Sequence, residues 1–179
     1  ARGESLLSET SLFQPNIKDA TPINDQQRQQ FSDKQFVDLV RKLRQMYQVA
    51  LLGLLKGKDV EHNTEYLQKV TARLSKLLNK TPAGALWSVA AAALEGVTNN
   101  GVALNSGIKE LLKRLEPELK KLISNGSASL DKIPEDLLKN LLFYVAKSEV
   151  NTPRIEAVRK EFDLYDALPT STEVDAERD

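Results

Sequence analysis

The sequence predicts an all-α fold, a helical bundle of about six helices with an extended N-terminal arm. Three observations carry this expectation. Apolar residues recur at i, i+3, i+4 and i+7 through several long segments. Capping residues stand at the ends of those segments. No stretch alternates apolar and polar residues for the length of a strand.

Residues 1–31 read as the arm, 32–169 as the bundle domain and 170–179 as a polar, acidic tail. In the arm, Pro15 and Pro22 oppose helix and bias the residue before each toward extended backbone. Leu12, Phe13 and Ile17 are apolar, so the arm is expected to lie on the domain surface.

The first helix is expected from about Asp33 to Lys56. Ser32 and Gln35 have the spacing of a capping box. Phe36, Leu39, Val40, Leu43, Met46, Tyr47, Ala50, Leu51, Leu54 and Leu55 keep to one helical face. Gly57 is placed to end it. The longest apolar run, Val49 to Leu55, is far short of the roughly 20 residues that cross a bilayer and reads as the buried end of this helix.

A second helix is expected from about Val60 to Asn79, with Tyr66, Leu67, Val70, Leu74, Leu77 and Leu78 inward. Thr81 and Pro82 look like the N-cap and first residue of a third helix, about Pro82 to Asn99. Its segment GALWSVAAAALEGV holds a single charge, Glu95, so it is apolar almost all round and should be central. The fourth helix begins near Asn105 or Ser106 and ends near Asn125. Pro117 falls inside its stripe and is expected to kink it. The fifth, Pro134 to about Lys147, has acids in its first turn and a lysine in its last. The sixth, about Pro153 to Phe162, follows Asn-Thr-Pro. The core is expected to hold Trp87, Leu94, Leu111, Leu115, Leu141 and Val145.

Composition narrows the function classes. The 179 residues carry 25 basic and 25 acidic side chains, which argues against a dedicated nucleic-acid binder. There is no cysteine, so no disulfide framework, thiolate nucleophile or soft metal ligand is available. That absence fits a reducing cytoplasm. The opening residues do not lead into a secretory h-region, and the lack of an initiator Met suggests a piece cut from a longer protein. No membrane insertion, metal or cofactor is expected. Charge is uneven: residues 32–80 hold ten Lys or Arg against five acids, and residues 163–179 hold one Arg against six acids. These read as solvated surfaces, or as a contact between basic helices and an acidic tail or partner.

Candidate reactive groups are few. His62, the single histidine, lies beside Glu61 and Glu65 and reads as a surface or capping residue. No phosphate-binding glycine loop and no nucleophile elbow occurs. Glu116 and Glu118 are two apart and do not share a helix face. Trp87, Phe143 and Tyr144 read as core or interface aromatics rather than a base-stacking platform. Phe13 and Tyr165 fall outside the long stripes and are candidate partner contacts, or tacks for their own segments.

The chain also carries distinctive strings. IKELLKRLEPELKKL, SNG, DLLKNLLFYVAKSE and PRIEAVRKEFDLYDALP follow one another in its second half, and LLSETSLFQPNI and LVRKLRQMYQVALLGLLKGKD precede them. From about Ser8 to Pro169 this resembles the non-kinase amino-terminal region of the large chemosensory kinases that control type IV pili, the ChpA/PilL group. It also resembles the stand-alone FimL scaffolds of the same pathway. The resemblance implies signalling partners: a kinase, a response regulator or a pole-localised scaffold. That group is rich in histidine phosphotransfer domains, whose motif is H-x-x-K-G on a central helix. The counterpart here is Ala92-Ala93-Leu94-Glu95-Gly96, in which only Gly96 matches. Ala92 offers no nucleophile, and Glu95 puts negative charge where a phosphoryl group needs positive. The resemblance therefore implies a degenerate phosphotransfer module and a non-catalytic scaffold or regulatory domain for twitching motility. The alternatives are a phosphotransfer domain using an unusual acceptor, His62 or Ser88, or a helical adaptor outside signalling.

Overall fold

The computed structural model describes residues 13–17 and 23–166. Among them are seven α-helices and no strand: α1 Asp25–Phe31, α2 Lys34–Leu55, α3 Val60–Leu77, α4 Pro82–Thr98, α5 Ser106–Asn125, α6 Glu135–Lys147 and α7 Pro153–Glu161. Short 3-10 turns follow α5 (Gly126–Ser129) and α7 (Leu164–Asp166). The all-α bundle is as expected. The tail and Leu12 lie outside the described residues.

Local sequence sets most boundaries. Thr81, Asn105 and Thr152 each accept a backbone N–H in the first turn of the helix they begin, satisfying a donor that the helix itself cannot. Gly57, at φ +72°, takes the left-handed conformation that ends α2. The helix α5 continues through Pro117 rather than ending there.

The N-terminal segment departs from expectation. Residues 25–31 form α1, and the capping box belongs to Asn24 and Gln27: the Gln27 amide donates to Asn24 Oδ1 at 2.8 Å and the Asn24 amide to Gln27 Oε1 at 3.0 Å. Ser32 does not cap α2. Its hydroxyl donates back to the Arg28 carbonyl at 2.7 Å and closes α1 instead. Ser32 and Gln35 have the spacing of a box, but α2 starts one residue later, after Asp33, with no side-chain cap bond.

The helix α4 is the centre. It packs against α3, α6 and α7, while α2 packs against α3 and α5. Ala90 to Leu94 are wholly buried, and these small side chains let neighbouring helices come close. Trp87 meets Tyr47 of α2 edge to face, with ring centroids 6.4 Å apart. The Tyr47 hydroxyl donates to the Leu112 carbonyl of α5 at 2.5 Å, so α2, α4 and α5 are tied at one point. Burial there pushes the Tyr47 phenol far above its ordinary value, with the Glu116 carboxylate adding to the shift. Trp87, Leu94, Leu111, Leu115, Leu141 and Val145 are all buried, as expected.

The end of α2 differs from expectation. Val49 is 72% exposed, Leu52 54% and Leu55 39%, so the run Val49–Leu55 is not uniformly buried. Ala50, Leu51 and Leu54 do face inward, and the helical period necessarily turns the interleaved residues out.

Candidate functional site: the central helix and the surfaces beside it

A phosphotransfer histidine must stand on a helix face that a partner can reach. Every residue of α4, from Pro82 to Thr98, is buried or half-buried, and none is fully exposed. Ala92 is completely buried. Its neighbours on the helix, Val89, Ala91 and Ala93, are equally inaccessible.

Glu95 is committed to an ion pair. Its Oε2 accepts from Arg154 Nε at 3.1 Å and from Gln68 Nε2 at 3.5 Å. The carboxylate thereby ties α4 to the first turn of α7 and to α3. Both charged groups are largely shielded, at 21% and 35% side-chain exposure. Removing one would strand the other in a partly desolvated place.

Gly96 serves close packing. A Cβ built there would lie 2.7 Å from Val102 Cγ2 and 3.3 Å from Ser148 Oγ. The Gly96 carbonyl accepts from the amides of Gly101 and Val102 at 2.7 and 3.1 Å, and the Gly101 carbonyl accepts from Glu149 at 2.8 Å. The loop after α4 is thus stitched to the loop after α6. Arg159 completes the same corner by donating to the Ser148 carbonyl at 2.7 Å and the Val145 carbonyl at 3.3 Å, where α6 leaves its last acceptors unpaired. The structure thus places Ala92, Glu95 and Gly96 in a packed helix junction.

The other candidates separate. His62 is exposed near the start of α3, its ring 6.2 Å from that of Tyr66, and no described carboxylate pairs with it. Ser88 is half-buried on α4. Glu116 binds Arg44 at 2.7 Å and Gln48 at 2.9 Å, whereas Glu118 turns to Lys121 at 3.0 Å, so the two carboxylates act separately. No group of His, Cys, Asp or Glu among the described residues could hold a metal ion. No helix among them is long and apolar enough to cross a membrane.

Phe13 is not a surface contact. It is completely buried and meets Phe143 of α6 edge to face at 5.6 Å. The Asn16 amide donates to the Phe162 carbonyl at 3.0 Å nearby. An isolated aromatic in a polar segment has no period to reveal its direction, and here the gap beside α6 takes it inward. Tyr165 remains 55% exposed, and its hydroxyl donates to the Glu156 carboxylate. That bond, with a second from Asn151, holds the Glu156 carboxyl below its ordinary value.

Sequence reasoning missed one surface. Leu43 and Met46 of α2 and Tyr66 and Val70 of α3 line a shallow groove of about 700 Å³. Lys69, Arg73 and Lys76 rim it from α3, and Arg154 reaches it from α7. The excess of basic residues in 32–80 was its sequence signal. The pairing of α2 with α3 sets the apolar floor beside that row.

The family model described as "FimL scaffold protein second domain" matches residues 32–175. The chain is 28% identical over 160 residues to Scaffold protein FimL of Pseudomonas aeruginosa, an alignment that takes in 89% of this chain and 28% of that protein. The chain therefore spans under a third of the length of this curated relative. No solved structure matches it.

Proposed function

Because the chain belongs to the FimL scaffold protein second-domain family, we propose that it is a non-catalytic scaffold or regulatory domain of a bacterial two-component chemosensory system controlling type IV pili and twitching motility. It acts in the cytoplasm by presenting helical surfaces to a kinase, a response regulator or a polar scaffold. The relative's name supports the scaffold part of this reading. The pilus pathway follows from the resemblance of the helical strings to the kinase amino-terminal region.

One observation carries the non-catalytic part. The position matching a phosphotransfer histidine is Ala92, which is completely buried. Phosphoryl transfer needs a nucleophile in line with the donor and positive charge around the moving group. Ala92 supplies neither access nor nucleophile, and Glu95 brings the wrong sign.

The test is direct. The purified protein is incubated with the phosphorylated kinase or response regulator of its pathway, and acid-labile and acid-stable label are both measured. No label is expected. Acid-labile label that disappears in His62→Ala would overturn the reading. Acid-resistant label that disappears in Ser88→Ala would overturn it equally.

A further inference from the structure

Four arginines that join neighbouring helices are neutralised by partners. Arg44 pairs with Glu116, Arg28 with Asp131, Arg114 with Asp136 and Arg154 with Glu95. The row Lys69, Arg73 and Lys76 lines the groove together. All three are exposed on α3, and none makes an ion pair with a described residue. Glu65 stands one helical turn before Lys69, yet the two do not bridge. Asp38 on α2 pairs with Arg41. Glu95, the acid nearest the Arg154 side of the groove, is held by that arginine. The three cations therefore face the groove without neutralising anions.

Beside this row lies apolar surface that the core leaves uncovered. Met46 and Tyr66 are only half-buried at the seam of α2 and α3. Val49 follows Met46 by three residues and Leu52 follows Val49 by three, so the apolar strip continues along the outside of α2. Val49 and Leu52 are the two most exposed large aliphatic side chains among the described residues. An apolar strip flanked by an unneutralised basic row is the surface complement of an amphipathic helix with an acidic edge.

We propose that the α2–α3 groove with its row Lys69, Arg73 and Lys76, together with the exposed strip Met46, Val49 and Leu52 beside it on α2, is the docking site for an acidic amphipathic helix of a partner protein. This assignment rests on the scaffold reading and specifies one of its contacts. The spacing fits. Lys69 to Lys76 spans seven residues, about 10.5 Å along α3 at roughly 1.5 Å per residue, so carboxylates at i, i+4 and i+7 of the incoming helix meet the three cations. Its apolar face settles on Met46, whose unbranched side chain adapts to the shape it meets. A nucleic acid fits less well, because the groove offers a single aromatic, Tyr66, and an otherwise aliphatic floor. A lipid surface fits less well too, because the cations that line the groove form one short row beside an apolar floor.

The test uses a fluorescein-labelled helical peptide with leucine at i, i+4 and i+7 and glutamate along one flank. Binding is followed by anisotropy at low and at physiological salt. The acidic peptide should bind, and the same peptide with lysine for glutamate should not. Lys69→Glu/Arg73→Glu/Lys76→Glu should weaken binding at least ten-fold, and the corresponding glutamine triple should do so less. Met46→Asp should weaken it at either salt. Lys113→Glu/Lys120→Glu/Lys132→Glu, matched in charge and placed elsewhere, should leave it unchanged. Circular dichroism and thermal midpoints must match the parent for each variant. Equal binding by the groove triple overturns the assignment. So does equal groove-dependent binding of a single-stranded oligonucleotide or of phosphatidylserine vesicles. Tighter groove binding by a peptide of residues 167–179 would overturn it by making the occupant the chain's own terminal segment. In a full-length protein of this family, undiminished capture of pathway proteins by the groove triple would sink this site and leave the scaffold reading intact. Failure of the unmutated protein to capture any of them would sink the scaffold reading itself.

Discussion

Placing a histidine at Ala92, the position we propose as the counterpart of a phosphotransfer histidine, should damage this domain rather than activate it. Ala92 is completely buried at the centre of α4, among Val89, Ala93 and the side chains of α3, α6 and α7. Ala92→His puts an imidazole ring where the structure has room for a methyl group. Overpacking a well-filled core costs about 1–3 kcal/mol. A ring nitrogen left without a partner there adds about 1–3 kcal/mol. The sum, about 2–6 kcal/mol, is a large share of the roughly 5–15 kcal/mol that stabilises a typical domain. In a domain of this size the midpoint should fall by about 4–24 °C. Thermal and urea unfolding by circular dichroism measure the loss, and the phosphotransfer assay on the same sample should show no label. A variant as stable as the parent would mean that the position is not packed as described. Label on the new histidine would show that the face opens to a partner, and would refute the steric argument.

Other residues give further expectations. Phe13→Ala should cost about 3–5 kcal/mol, up to the limit at which the N-terminal segment undocks, and urea unfolding should show it. A neutral result would return Phe13 to the surface. Leu115→Ala should cost roughly 2–5 kcal/mol by the same measurement, since Leu115 is fully buried. The folded Tyr47 phenol titrates above its unfolded value of 10.0, so its stabilising contribution is complete below pH 10 and fades above it. Urea midpoints should fall as pH rises past 10, and Tyr47→Phe should flatten that part of the profile. The Asp131 carboxyl is held below its ordinary 3.8, chiefly by its hydrogen bond with Arg28, so its contribution to holding α1 is present above that value and fades as pH falls below it. Protection of the α1 amides, measured relative to their intrinsic exchange rates, should fall on acidification through pH 4, and Asp131→Asn should remove that fall.

What the sequence determined by itself was local. Thr81 before Pro82, Asn105 before Ser106 and Thr152 before Pro153 cap helices through bonds that span three residues, so four-residue strings contain all the information needed. The long stripes of α2, α3 and α5 announced helices and most of the core, because burial on one face must recur with the helical period. The single charge in α4 announced its central place. Tertiary structure decided the rest. Ser32–Gln35 read as the start of the first long helix, but Ser32 closes α1 instead, and α1 docks where Arg28 reaches Asp131, 103 residues away, at 2.6 Å. Phe13 had no periodic neighbours to show its direction until Phe143 supplied a wall. A helix apolar all round announces burial but not which helices surround it, so its pattern could not name the neighbours of Ala92. The partner of Glu95 lies 59 residues on, and the groove arises only where α2 and α3 lie side by side. Contacts between distant segments depend on how helices pack, and no local pattern encodes that.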